Sequence, residues 1–385
     1  MRILQVIKTN NGANWAFEQA KFLFEKYGIE IITVLPDEKE GMAQKYKEAK
    51  MPVVKGDFSL PTKQPWLLRK RIENIKKIVD LYQPDIIHTH FVTNILMLRI
   101  ALRSRNIPRI FQVPGPLHLE NFFFKKVDVC LSNKNDFWIG TCKKTCEIYL
   151  KENISRDKVF LTYYSGYGGK TCDTYEESTN ILHKEFNLSN NDILVGMVAY
   201  FYSPKRYLFQ KRGLKGHEDF IDAIRLVRKK NKNVKGIIIG KAWDNAEWYE
   251  KKVKDYANKK CGDGIIFTGF RDDMKKIYRE LDIAIHPSHS ENLGGAAESL
   301  AAGVPTIATD VGGFPDIVLD NQTGLLCKMK NPEDLSEKIN YAVGHMNLMT
   351  CYAQEGKELV RDLLDINRCC ESIYQIYRKV LGAYK

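Results

Sequence analysis

SHSENLGGAAESLAAGVPTIATDVGGFP, Ser288 to Pro315, sets two carboxylates, Glu291 and Glu298, on either side of a Gly294-Gly295 pair that opens a helix, then continues into a strand and a second glycine-rich turn. The first N–H groups of a helix have no intrahelical partner and bind anions, and glycine lets a phosphate approach the backbone closely. A carboxylate only accepts hydrogen bonds, so its natural partners are the hydroxyls of a sugar or a ribose. Phosphate and sugar recognition in one short segment points to a nucleotide-sugar site. A carboxylate answering the helix dipole, plus a solvated face, accounts for either glutamate alone but not for the whole block.

Outward from this stretch the chain alternates strand and helix. MRILQVI, IEIITVL, PDIIHTHF, IPRIFQVPG, VDVCLS and KVFLTYYSG read as short apolar strands, with helices over Trp15–Tyr27, Arg69–Tyr82 and Asn94–Arg105 between them. A second series runs through ILVGMVAY, VKGIIIG, GIIFTGF, DIAIHPS and VPTIATD. Such alternation builds parallel sheets covered on both faces, so the fold class is α/β with two Rossmann-like domains. The two series meet in the polar stretch around Gly168–Asn191, which predicts a first domain over 1–175 and a second over 190–369, with a cleft between them. Ligands in such sheets bind beyond the carboxyl ends of the strands.

Composition narrows the function. The 385 residues, 44% hydrophobic and 28% charged, suit two soluble globular cores. No stretch reaches the ~20 apolar residues of a membrane span, and MRILQVI runs too soon into polar sequence for a signal peptide, so a cytoplasmic location is expected. Nine cysteines without a CxxC pair predict reduced thiols, and Cys142 and Cys146 lack matching zinc partners, so no metal is expected. The charge of +12 is concentrated in residues 1–180, with 28 Lys/Arg against 20 Asp/Glu. No nucleic-acid module accompanies it, which leaves phosphorylated ligands and an anionic membrane surface as partners.

SENLGGAAESLAAGVPTIATDVGGFPDIV, with DNQTGLL at Asp320 to Leu326, resembles the donor signature of glycosyltransferase family 4, the retaining group 1 enzymes of GT-B fold. The resemblance implies that Glu298 holds the ribose hydroxyls and that a second acidic residue meets the transferred sugar. Glu291 is the candidate, with Ser290 the alternative in strict register; Asn292, Leu293, Gly294 and Gly295 complete the donor loop. Lys215-Gly216 matches the family's Lys-Gly, aimed at the pyrophosphate. The family's Arg after the preceding strand is Tyr200 here, so Arg212 is the substitute, with Arg206 and Lys211 behind it. Gly269-Phe270-Arg271 resembles the segment that reads the base, and Gly12 the glycine turn facing the donor phosphate. The final helix, Cys370 to Leu381, is implied to cross back onto the first domain, adding 370–385 to it.

His118, in VPGPLHLEN, matches a family histidine near the reacting sugar; pairing with Glu120 on the surface is its ordinary alternative. His88, His90, His286 and His289 read as ordinary strand-end residues, and Asp272-Asp273 as a helix cap. The family reading implies a metal-independent, retaining transfer, with no cofactor beyond the nucleotide-sugar donor, UDP-linked by preference, to a saccharide or lipid-linked acceptor in surface-polysaccharide synthesis. Residues 64–82, with Trp66 and five Lys/Arg, suit a peripheral membrane contact, although Ile72, Ile75, Val79 and Tyr82 equally form a core-facing stripe. A GT-B epimerase or hydrolase, and a non-catalytic sugar-nucleotide-binding protein, are the competing functions.

Overall fold

A computed structural model describes residues 1–165, 180–205 and 210–383. The chain divides into two compact units, Met1–Gly166 with Leu364–Lys385, and Tyr167–Leu363.

The first unit holds β1 (Arg2–Val6), β2 (Glu30–Leu35), β3 (Val53–Lys55), β4 (Ile86–Thr89), β5 (Arg109–Val113), β6 (Asp136–Gly140) and β7 (Val159–Leu161). They form one sheet in the order β3-β2-β1-β4-β5-β6-β7, and every pairing is parallel. Strands buried on both faces need no polar alternation, which is why Ile31, Ile32, Val34 and Leu35 follow one another almost without interruption. The helices Asn14–Tyr27 and Met42–Glu48 pack with the terminal helix Ile366–Gly382 over the sheet, sharing a core of Ile3, Ile31, Phe17, Ile373 and Tyr377. The helices Leu68–Tyr82 and Val92–Ala101 bury Ile75, Val79, Met97 and Leu98 in a separate cluster with Leu4, Ile32 and Ile87. The terminal helix begins at Asp365, whose side chain accepts from the Arg368 N–H and so supplies an N-cap.

The second unit holds β8 (Ile193–Val198), β9 (Val234–Ile239), β10 (Ile265–Gly269), β11 (Ile283–His286), β12 (Thr306–Thr309) and β13 (Leu325–Cys327), in the order β10-β9-β8-β11-β12-β13, again all parallel. Its strand order reverses between β8 and β11, the switch point at which such sheets open a crevice.

One expected strand is a helix. Val127 to Leu131 of VDVCLS lie inside the helix Phe122–Leu131, which Asn121 caps by accepting from the Phe124 N–H, and the strand of this region is β6. The helix buries Asp128 and exposes Phe122, Phe123 and Phe124, the reverse of what a period-two reading of VDVCLS demands. Residues 166–179, where the first domain was expected to end, and Arg206 lie outside the described residues.

Candidate functional site

At the β8–β11 switch point a recess is lined by Val198, Ala199, Lys215, His286, Ser288, Glu291, Gly295 and Phe314. Glycine geometry shapes it. Gly216 has φ +75°, and a Cβ there would stand 2.0 Å from the Pro287 carbonyl oxygen, so the Lys-Gly turn is pressed directly on the loop that leaves β11. This close approach delivers Lys215 to the recess. Gly312, at φ +56°, would put a Cβ 1.7 Å from the Glu291 carbonyl oxygen, and the Gly313 N–H donates to that oxygen at 3.3 Å. The second glycine-rich turn is therefore the seat of Glu291. Gly294, at φ +43°, leaves room for the Glu291 carboxyl carbon, which a Cβ would meet at 2.9 Å.

Lys215 Nζ bonds Glu291 Oε2, while Glu291 Oε1 accepts from the Asn292 N–H at 3.2 Å. Burial opposes the Lys215 ammonium, but the carboxylate of Glu291 outweighs it and holds the lysine pKa above its usual value. The helix Gly294–Ala301 opens beside them, and Leu293 at its N-cap has no side-chain acceptor for the first-turn amides. One turn on, Glu298 accepts from the Tyr278 hydroxyl at 3.0 Å. Burial pushes the Glu298 carboxyl above its usual range; Tyr278 and Lys215 oppose the rise, and Glu291 adds to it. His286 Nε2 meets Ser299 Oγ at 2.9 Å and ties this helix to β11; burial, reinforced by Lys215, lowers its pKa to about 3, so it stays neutral.

Of the two residues offered for the sugar contact, Glu291 lines the recess; Ser290 is buried, and its hydroxyl has no partner among the described residues. Arg212 is not brought to Lys215. Its guanidinium is held by Asp219 and Asp222, and Asp219 also bonds His289. Lys211 is exposed. Gly269 takes φ +74°, Phe270 is exposed with the Lys241 ammonium 4.6 Å from its ring centroid, and Arg271 pairs with Asp273 and Glu185. Asp273 sits at the N-cap of the helix Met274–Glu280 but turns its carboxylate to Arg271 instead of capping. An aromatic cluster that the sequence reading missed adjoins this end of the sheet: Tyr200 and Tyr202 lie 5.0 and 6.1 Å from Trp243 by ring centroid, and Lys215 stands 5.7 Å from the Tyr202 ring. No group of three His, Cys, Asp or Glu side chains poised to hold a metal occurs among the described residues.

In the first unit, His118 Nε2 lies 3.3 Å from Asp128 Oδ2, so its acidic partner is Asp128. Asp128 is fully buried, accepts from the Tyr149 hydroxyl at 2.6 Å and pairs with Arg99, which also reaches Asp136 at 3.0 Å. Burial alone would raise the Asp128 pKa; Arg99, His118 and Tyr149 together hold it down at about 2. A permanently ionised carboxylate thus fixes the ring of His118. Gly12, at φ +76°, lies in the turn before the helix Asn14–Tyr27. His88 and His90 are buried: His88 Nδ1 meets the Tyr377 hydroxyl at 2.5 Å, and His90 Nδ1 meets the Tyr164 hydroxyl at 3.1 Å.

Residues 204–358 match the family described as glycosyl transferases group 1. An uncharacterized glycosyltransferase of Methanocaldococcus jannaschii is 26% identical over 316 residues, covering 79% of this chain and 78% of its own. The capsular polysaccharide biosynthesis glycosyltransferase CapM of Staphylococcus aureus is 22% identical over 335 residues, 84% of each chain. Anabaena HepE, solved in complex with UDP, shares the fold at a TM-score of 0.77 and 17% identity, over 97% of this chain and 99% of its own; HepE has also been solved with UDP-glucose.

Proposed function

We propose that the chain, which has the GT-B fold, is a group 1 glycosyltransferase that moves a sugar from a UDP-sugar to a hydroxyl of a saccharide or lipid-linked acceptor, with retention, in cell-surface polysaccharide synthesis. The observation that carries this reading is the convergence of Lys215, Glu291, Glu298 and an uncapped helix start on one recess at the β8–β11 switch point. Lys215 and the first amides of Gly294–Ala301 suit a diphosphate leaving group. Glu291 suits the hydroxyls of the sugar, and Glu298, steadied by Tyr278, those of the ribose. UDP is favoured because HepE binds it on the same fold, and the surface-polysaccharide role because CapM serves one.

The acceptor oxygen attacks the anomeric carbon from the face that the diphosphate leaves, the bond from that carbon to the phosphate oxygen breaks, and the departing phosphate takes the acceptor proton. Lys215 stabilises the charge that develops on the phosphate. His118, held by Asp128, positions the acceptor hydroxyl. Phe122, 72% exposed, and Phe123, 66% exposed, come four and five residues after His118 and favour an acceptor with an apolar portion. The helix Leu68–Tyr82 buries Ile75, Ile78 and Val79 and leaves Arg69, Lys70, Lys76 and Lys77 exposed, and Trp66, just before it, is 73% exposed. That arrangement suits a peripheral contact with the cytoplasmic face of an anionic membrane. No helix of the described residues is long and apolar enough to cross one.

A thermal-shift panel of UDP-, GDP- and ADP-sugars tests the donor. A UDP-sugar should raise the unfolding temperature of the protein, and Lys215→Ala and Glu298→Ala should abolish the shift; a flat response to the whole panel refutes the assignment. Sedimentation with vesicles of phosphatidylcholine and phosphatidylserine tests the membrane contact, which Trp66→Ala should weaken.

A further inference from the structure

We propose that the Lys215–Glu291 ion pair makes the donor site discriminate between a sugar-loaded nucleotide and the free nucleoside diphosphate, and so favours release of the nucleotide product. The inference rests on the donor-site reading above and adds what the pairing itself does.

The two groups assigned to different parts of the donor are bonded to each other, and both line the same recess. Their side chains are only 20% and 16% exposed, so neither charge is well solvated. A diphosphate that takes Lys215 must displace the Glu291 carboxylate. That carboxylate cannot retreat far: the Glu291 carbonyl is seated on Gly312 and Gly313, and the Asn292 N–H holds Oε1. Glu298, half-buried nearby, adds a second acidic group, and the neighbouring His217 and His286 are neutral, each held at about 3 by burial, so they supply no compensating charge. Lys215, whose ammonium stands 5.7 Å from the Tyr202 ring, is the cation bonded to Glu291.

The outcome depends on what the terminal phosphate carries. A free nucleoside diphosphate brings a terminal phosphate with an additional ionisable oxygen and no donor for Glu291. The carboxylate is then left buried, unpaired and beside another anion, an arrangement electrostatics penalises. A sugar ester removes that ionisable oxygen and supplies hydroxyls that donate to Glu291, so each half of the broken pair regains a partner of the right kind. When transfer removes the sugar, Glu291 loses its donors, and the ion pair re-forms as the diphosphate leaves.

Titration calorimetry on the full chain tests this with UDP, UDP-glucose, GDP, GDP-mannose and inorganic pyrophosphate, using wild type, Glu291→Gln and Glu291→Asp. The wild type should bind the sugar ester roughly tenfold more tightly than the matching diphosphate, the scale of one charge-assisted hydrogen bond. Glu291→Gln should erase that preference by strengthening the free diphosphate and pyrophosphate about tenfold, and Glu291→Asp should keep it. If Glu291→Gln weakens every ligand alike, or if the wild type binds diphosphate and sugar ester equally, the discriminator is overturned while the donor site stands. If no nucleotide or nucleotide sugar binds the wild type, the donor-site reading itself falls.

Discussion

Both sheets reverse their strand order at one point, between β1 and β4 in the first unit and between β8 and β11 in the second, yet the side chains gathered there differ in kind. The first point is neutral: Gln5, His88, His90 and Gln112 are buried, with the hydroxyls of Tyr164 and Tyr377 bonded to the two histidines. Burial keeps both histidines uncharged. The second carries ions, Lys215 against Glu291, with Glu298 close behind. The same backbone topology thus supports a hydrogen-bonding floor in one place and an ion pair in the other, and the difference comes from the loops that leave the strands. In the second unit a Lys-Gly turn and a glycine-seated glutamate deliver the charges. In the first unit charge is set apart in the Arg99–Asp128–Asp136–Arg109 cluster.

The contrast can be broken at its charged members. Arg99→Met should have the largest effect, because it leaves Asp128 buried without its main counter-charge; a loss of about 3–5 kcal/mol in urea denaturation is expected. Lys215→Met should reduce UDP-sugar affinity on the order of a hundredfold in calorimetry, the scale of a lost charge-assisted contact to phosphate, whereas Gln112→Leu at the neutral point should leave it unchanged.

The shared feature, neutral buried histidine, can be sharpened by pH. His88, His217 and His286 are held at about 3 in the folded chain, below their value near 6.5 when unfolded. A depressed folded pKa means that the unfolded chain takes up protons first as pH falls, so stability is full above pH 6.5 and declines toward pH 3. Between pH 7.5 and 5 the stability read from urea denaturation should drop, by up to about 2 kcal/mol per histidine. Glu298→Gln should have the smallest effect, a roughly threefold to tenfold loss of donor affinity, because the amide keeps one acceptor for Tyr278 or the ribose.

The sequence disclosed the parts of this molecule that are local. Runs such as IEIITVL and VKGIIIG are strands because both of their faces are buried, and no polar alternation is needed to see them. Three-residue β3 and β13 carry too little pattern to stand out. VDVCLS misleads because Val127, Val129 and Leu131 alternate with polar or small residues, whereas the fold buries Asp128 against Arg99, a partner 29 positions away. The same distant arginine explains why β6, opening on a buried aspartate, escapes a reading by apolar runs. At the site, Gly294 and Glu298 stand out because they lie at one helix start, and Lys215 because Lys215-Gly216 resembles the family's Lys-Gly turn. Arg212 is suggested by its nearness in the chain to Lys215, although Asp219 and Asp222, three apart on the following helix, share the face that claims it.

The helix Ile366–Gly382 has a consequence for the order in which the protein is made. It places Cys370, Ile373, Ile376, Tyr377 and Val380 in the core of the unit that begins at Met1. During synthesis the second unit has its whole sheet in hand once residue 363 has left the ribosome, but the first, although translated earlier, must wait for residues 366–382 before its core can close. The nascent chain therefore completes its later half before its earlier one.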